Sequence, residues 1–213
     1  MKAIPLFSLE LRRLLLSRLT WLIALLTLLS PLAGLTLYKP ASAGTMLSMY
    51  LANPAIAGGV AGAILFGLLT IFELDRACRS RVDILTDAVV SPLTTARVRL
   101  LALMSAAALT LCLAMLVWLP VSRGLIGAVF DGAEYLLAYA LFMGLALPLG
   151  ILAASSAYQF ARRADLSLVA MAVFAGLSLS VWADDWQLCW LNPCVWALSD
   201  DFSNFRIFRS VAW

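Results

Sequence analysis

Long apolar runs alternate with short charged ones along this chain. Five runs read as membrane-spanning helices, at residues 19–38, 55–72, 100–121, 135–158 and 166–182, and none contains Asp, Glu, Lys or Arg. Hydrocarbon about 30 Å thick asks for roughly 20 apolar residues in a helix, so the pattern predicts an all-α polytopic membrane protein. Trp21 and Tyr38 sit near the two ends of the first run, as interfacial aromatics do, and Pro31 and Gly34 predict a kink in its outer half. The membrane domain occupies residues 19–182. An amino-terminal interfacial helix, 1–18, precedes it, and a polar, aromatic segment, 183–213, follows on the outer side.

The charged stretches predict further elements. Residues 5–18 form a short helix with Ser8 as its cap, and Glu10, Arg13 and Ser17 share one face. Arg12 and Arg18 reach headgroups through their long stems, so this helix lies in the interface. Arginines stand where the apolar core of a cleavable signal peptide would be, and the first span is therefore retained. Between the second and third spans, residues 73–99 carry Arg76, Arg79, Arg81, Arg97 and Arg99. Within this loop, Arg79, Asp83 and Asp87 recur every four residues, while Val82, Leu85 and Val89 take another face. That spacing predicts an amphipathic helix over 76–90, a solvated topology signal or a docking element for a cytosolic subunit. Ser91 and Pro92 supply a cap and a first-turn proline for the helix that becomes the third span. In the second span, Gly58 and Gly62 form a small-x-x-x-small spacing, which serves packing within the chain or dimerisation.

Composition sharpens this picture. Hydrophobic residues make up 63% of the 213 positions and charged residues 13%, with a mean hydropathy of +0.97. No soluble fold of this size could bury so much apolar surface. The net charge of +3 is small, but its placement is informative. Lys2, Arg12, Arg13, Arg18, the five loop arginines, Arg162 and Arg163 fall on one side of the spans, against Lys39 and Arg123 on the other. The positive-inside rule puts the amino terminus in the cytoplasm, and nothing points to nucleic acid. The chain has no histidine, which removes His-based metal sites and triads. Charge-free spans argue against ion-coupled transport, and the absence of a G-x-x-x-x-G-K motif means that any ATP must be bound by another subunit. Cys78 and Cys112 read as incidental thiols. Cys189 and Cys194 flank Trp-Leu-Asn-Pro, where they either close a turn as a disulfide or remain buried thiols.

The layout resembles the membrane subunit of ABC transporters, in the ABC type-2 permease family of exporters. The resemblance runs over essentially the whole chain and rests on Phe7-Ser-Leu-Glu-Leu-Arg-Arg, on the 73–99 loop, and on the stretch from Asp83 to the start of the third span. Glu73, Leu85, Pro92 and Arg97 or Arg99 match the family's loop pattern; its Gly-Thr pair is absent, and Arg81-Val-Asp stands near that place. The resemblance implies a coupling helix around residues 79–89 seated in an ATP-binding cassette subunit, with Glu73, Arg76, Arg79, Val82, Asp83, Leu85, Asp87, Val89 and Pro92 as the coupling residues. It also implies ATP and Mg in that partner and no cofactor in this chain, a second permease copy, and a bacterial cell membrane. Six core spans are implied where five are legible, and Arg206 and Arg209 before Ser-Val-Ala-Trp look like the approach to another helix. The expectation is a chain cut before its sixth span. The competing reading is a scaffold that recruits a cytosolic protein through the same loop and transports nothing. The charge asymmetry generates a direct test: a reporter inserted after Ser80 should read as cytoplasmic and one inserted after Phe130 as external, and the reverse pattern would overturn the orientation.

Overall fold

The computed structural model describes residues 3–37, 46–80 and 91–179, and among them there is helix and no strand. Helix α1 (Ala3–Leu15) leads into α2 (Arg18–Leu29) and the short α3 (Pro31–Thr36). Then come α4 (Met46–Arg79) and α5 (Pro92–Ile126). A single 3-10 turn, Gly127–Val129, precedes α6 (Gly132–Ala138), a π-helical segment Tyr139–Met143, and α7 (Gly144–Ala161). Helix α8 is Ala164–Leu179. Four helical stretches are long and apolar enough to cross a membrane: Arg18–Thr36, Tyr50–Arg79, Pro92–Val129 and Gly132–Ala161. The chain is an all-α polytopic membrane protein. Helix α8 spans about 24 Å at 1.5 Å per residue, and residues 180–182 of the expected fifth span lie outside the described residues.

Helix α4 is the axis of the bundle. About 72% of the positions in its most apolar stretch are buried, against 28% for α2–α3 and 33% for α5. A ridge of small residues on α4 explains the close approach. A Cβ on Gly59 would stand 3.1 Å from the Phe142 carbonyl carbon, and one on Gly150 of α7 would stand 2.7 Å from the Ala63 Cα. Gly59, Ala63 and Gly67 thus face Phe142, Ala146 and Gly150 at one-turn intervals, letting two backbones meet where lipid offers no hydrophobic drive to pull helices together. Gly58 and Gly62, one position away, line the neighbouring groove: Gly58 meets Pro31 and Met143, and Gly62 meets Thr27 and Leu147. Both glycines therefore pack within the chain.

The breaks in the helices are satisfied locally. Pro31 removes a donor at the α2–α3 junction, and there Ser30 Oγ donates to the Thr27 carbonyl at 2.6 Å while Trp118 Nε1 of α5 donates to the Leu28 carbonyl at 2.8 Å. At the other end of α2, Trp21 Nε1 donates to the Leu15 carbonyl at 2.7 Å, capping the end of α1. The Tyr135 hydroxyl donates to the Met115 carbonyl at 2.6 Å and so ties α6 to α5. Each bond occupies a carbonyl in a setting where water is scarce and an unmet one is costly.

Several boundaries differ from the sequence expectation. Helix α1 begins at Ala3 and ends at Leu15, so Ser8 lies inside it, its Oγ donating to the Pro5 carbonyl at 2.9 Å, and does not cap it. The second span and the first part of the loop are one uninterrupted helix, because residues 68–79 contain neither Pro nor Gly to end it. Arg76 and Arg79 therefore lie on the extension of α4, with no break separating them from the span. At its other end α4 begins at Met46 and carries Pro54 inside, so residues read as outer loop are helical; membrane helices tolerate an interior proline where neighbours cover the freed carbonyl.

Helix-to-helix contact at Gly150 generates a stability test. Gly150→Ala should destabilise the purified protein by about 1–3 kcal/mol through overpacking against α4. Gly176→Ala on α8, where a Cβ meets nothing within 4 Å, should leave the melting temperature unchanged; equal behaviour of the two would refute the close α4–α7 contact.

Candidate functional site

The arginine-rich end of the bundle gathers its charges at one place. Helix α1 packs along the first turns of α5 through Phe7, Leu11 and Leu14, turning Glu10 and Arg13 toward the Arg79 end of α4. Arg13 Nε donates to Glu10 Oε2 at 2.7 Å, and its Nη1 lies 2.7 Å from Glu73 Oε2. Arg99 Nε is 3.5 Å from Glu10 Oε1, and Arg76 Nη1 is 3.7 Å from Glu73 Oε1. Two carboxylates and three guanidiniums from three helices thus form one cluster.

Burial ranks these groups. The Glu73 side chain is 7% exposed and that of Arg99 13%, whereas that of Arg76 is 62% exposed. Glu73 follows Phe72 directly, so the end of an apolar run carries the first carboxylate of the extension into the packed region. Burial alone would lower the pKa of Arg13, but bonding to Glu10 and the charges of Glu73 and Glu10 outweigh it and leave the guanidinium raised. Arg13 is therefore a permanent cation in this cluster. A second pair continues toward α7, where Arg79 Nε meets Asp75 Oδ2 at 2.7 Å and the Tyr158 hydroxyl donates to Asp75 Oδ1 at 3.4 Å. Arg162 then ends α7 in the left-handed region at φ 50°, its N–H donating to the Tyr158 carbonyl at 2.7 Å.

Of the residues singled out from the sequence, Glu73 is at the centre of the cluster, Arg76 at its edge, and Arg79 in the Asp75 pair. Pro92 is the first residue of α5, with the Ser91 side chain accepting from the Thr94 N–H. Val82, Asp83, Leu85, Asp87, Val89, Cys189 and Cys194 lie outside the described residues. The structure adds Glu10, Arg13, Asp75, Arg99 and Tyr158. A signal for the first two was present, since Glu10 and Arg13 share a face at i, i+3 spacing; their partner across the bundle had none.

No group of three or more His, Cys, Asp and Glu side chains suited to a metal occurs among the described residues. What the arrangement does chemically is hold charge: it locks α1 to both flanks of the loop. No family model, curated protein or solved structure matches the chain.

Removing one member should expose the cost of such a cluster. Glu73→Gln leaves Arg13 and Arg76 facing each other without their shared anion and should destabilise the protein by about 3–5 kcal/mol, as loss of a buried partner does. Arg79→Ala, at a largely exposed pair, should cost under about 1 kcal/mol. Thermal melting of both variants in the same detergent checks the ranking.

Proposed function

We propose that this chain is the membrane-spanning permease subunit of an ATP-driven exporter of the ABC type-2 kind. In this reading it works as one of two permease copies in a bacterial cell membrane, with its amino terminus in the cytoplasm. ATP and Mg are bound and used by a separate cassette subunit; this chain catalyses nothing. The observation that carries the reading is the ion-paired cluster of Glu10, Arg13, Glu73, Arg76 and Arg99. It joins the interfacial helix to both helices from which the 73–99 loop emerges, so that a push on the loop would reach α1, α4 and α5 together. The uninterrupted course of α4 from Met46 to Arg79 supports the same reading, because a continuous helix passes displacement along its length. Charge-free spans further favour an energy source outside the membrane domain.

Tagged full-length protein isolated from its own host in mild detergent should bring down a P-loop ATPase. Leu85→Asp and Arg79→Glu, made separately on the apolar and polar sides of the loop, should each cut that recovery about tenfold, corresponding to roughly 1.4 kcal/mol of lost docking energy. Unchanged recovery by both variants would sink the coupling role, and a partner that binds no nucleotide would establish the scaffold in its place.

A further inference from the structure

A cavity of about 190 Å³ opens between α1, α4 and α5 at the arginine-rich end, lined by Glu10, Arg13, Arg76, Ala77, Ser80 and Arg99. At about 30 Å³ per water it has the volume of roughly six waters, enough for one phosphate group and part of its hydration. Among the described residues of this lining, three guanidiniums face one carboxylate. That carboxylate, Glu10, is already engaged by Arg13 at 2.7 Å and by Arg99 at 3.5 Å, while Glu73 lies behind the wall, within reach of Arg13 and Arg76. Among the described residues, three guanidiniums and two carboxylates meet in this cluster. Arg76 is the least engaged of the three guanidiniums, since its nearest carboxylate oxygen is 3.7 Å away and its side chain is mostly exposed at the mouth. Guanidinium groups present planar forks of N–H donors that match the oxygens of a phosphate and hold them in charge-assisted bonds.

The surroundings indicate where such a phosphate comes from. On the outward side of α1, Pro5, Leu9 and Arg12 are exposed, and the exposed Leu16 follows the helix, a mixture of apolar and basic groups suited to the boundary between headgroups and acyl chains. The cavity lies behind this helix, and an interfacial position of α1 would set it at headgroup level.

We infer that the cavity between α1, α4 and α5 binds a phosphate group, presented by an anionic phospholipid, with Arg76 as the principal anchor and Arg13 and Arg99 as its fixed backing. The site is independent of the exporter reading, since lipid binding needs no ATPase.

The full-length chain is placed in phosphatidylcholine nanodiscs containing a minority of phosphatidic acid, and the lipid retained on release is counted by native mass spectrometry. Wild-type protein should retain phosphatidic acid in preference to phosphatidylcholine. Arg76→Gln should lower that retention about five- to tenfold, as expected for losing one charge-assisted anchor. Arg76→Lys should recover part of it, and Arg163→Gln, which removes an exposed arginine elsewhere at the same end, should stay within about twofold of wild type. Melting of each variant in pure phosphatidylcholine separates misfolding from lost binding. Excess inorganic phosphate provides a second arm: displacement of the lipid supports a site for phosphate from any source, and undisturbed lipid supports the phospholipid itself. Equal retention by wild type and Arg76→Gln, or equal loss from Arg76→Gln and Arg163→Gln, overturns the site.

Discussion

The arginine-rich end of this bundle depends on the placement of one carboxylate, Glu73. It stands where α4 leaves its apolar run, nearly enclosed, and it serves Arg13 from α1 and Arg76 from its own helix. A carboxylate at that depth is costly unless cations meet it, and the cations it requires fix the position of α1. With α1 in place, Glu10 reaches Arg99, so the start of α5 is set as well. One buried anion thereby adds a charge-set register to the apolar packing of α1 on α5 through Phe7, Leu11 and Leu14.

Packing above this charged layer follows a different logic. Gly59, Ala63 and Gly67 bring α4 against α7 at backbone distance, and side-chain donors from Ser30, Trp21, Trp118 and Tyr135 occupy carbonyls at helix ends and along α5. The outward surfaces are the reverse of a soluble core, with Leu101, Leu109, Leu113 and Leu116 of α5 exposed in a row. Such a patch would be a liability in water and is ordinary in lipid.

Much of the helix layout was legible in the sequence for identifiable reasons. Charge-free runs mark spans because a charge inside hydrocarbon is expensive, and Ser91-Pro92 marks a helix start because its cap and its fixed φ act locally. The kink at Pro31 was legible for the same local reason. What depended on distant partners was not. The small-residue ridge used for the α4–α7 contact is offset by one residue from Gly58 and Gly62, since either register fits the spacing and only the neighbour decides between them. Glu73 was visible as part of a loop pattern, but its pairing with Arg13, sixty residues earlier in the chain, has no periodicity to reveal it. The helix of the second span continues past its apolar run because Glu73, Asp75 and Arg76 look like a loop by polarity while Glu and Arg remain good helix formers.

Continuity of α4 has a mechanical consequence. At 1.5 Å per residue its 34 residues extend about 51 Å, well beyond hydrocarbon of about 30 Å. A helix of this kind is stiff along its axis, since shortening it would break its backbone bonds; it yields by tilting, or by bending at Pro54 where one of those bonds is missing. Both parts of its apolar stretch are held by neighbours, the Gly59–Gly67 ridge by α7 and the backbone at Asn53 and Pro54 by Gly34 of α3. A tilt of α4 therefore carries α3 and α7 with it.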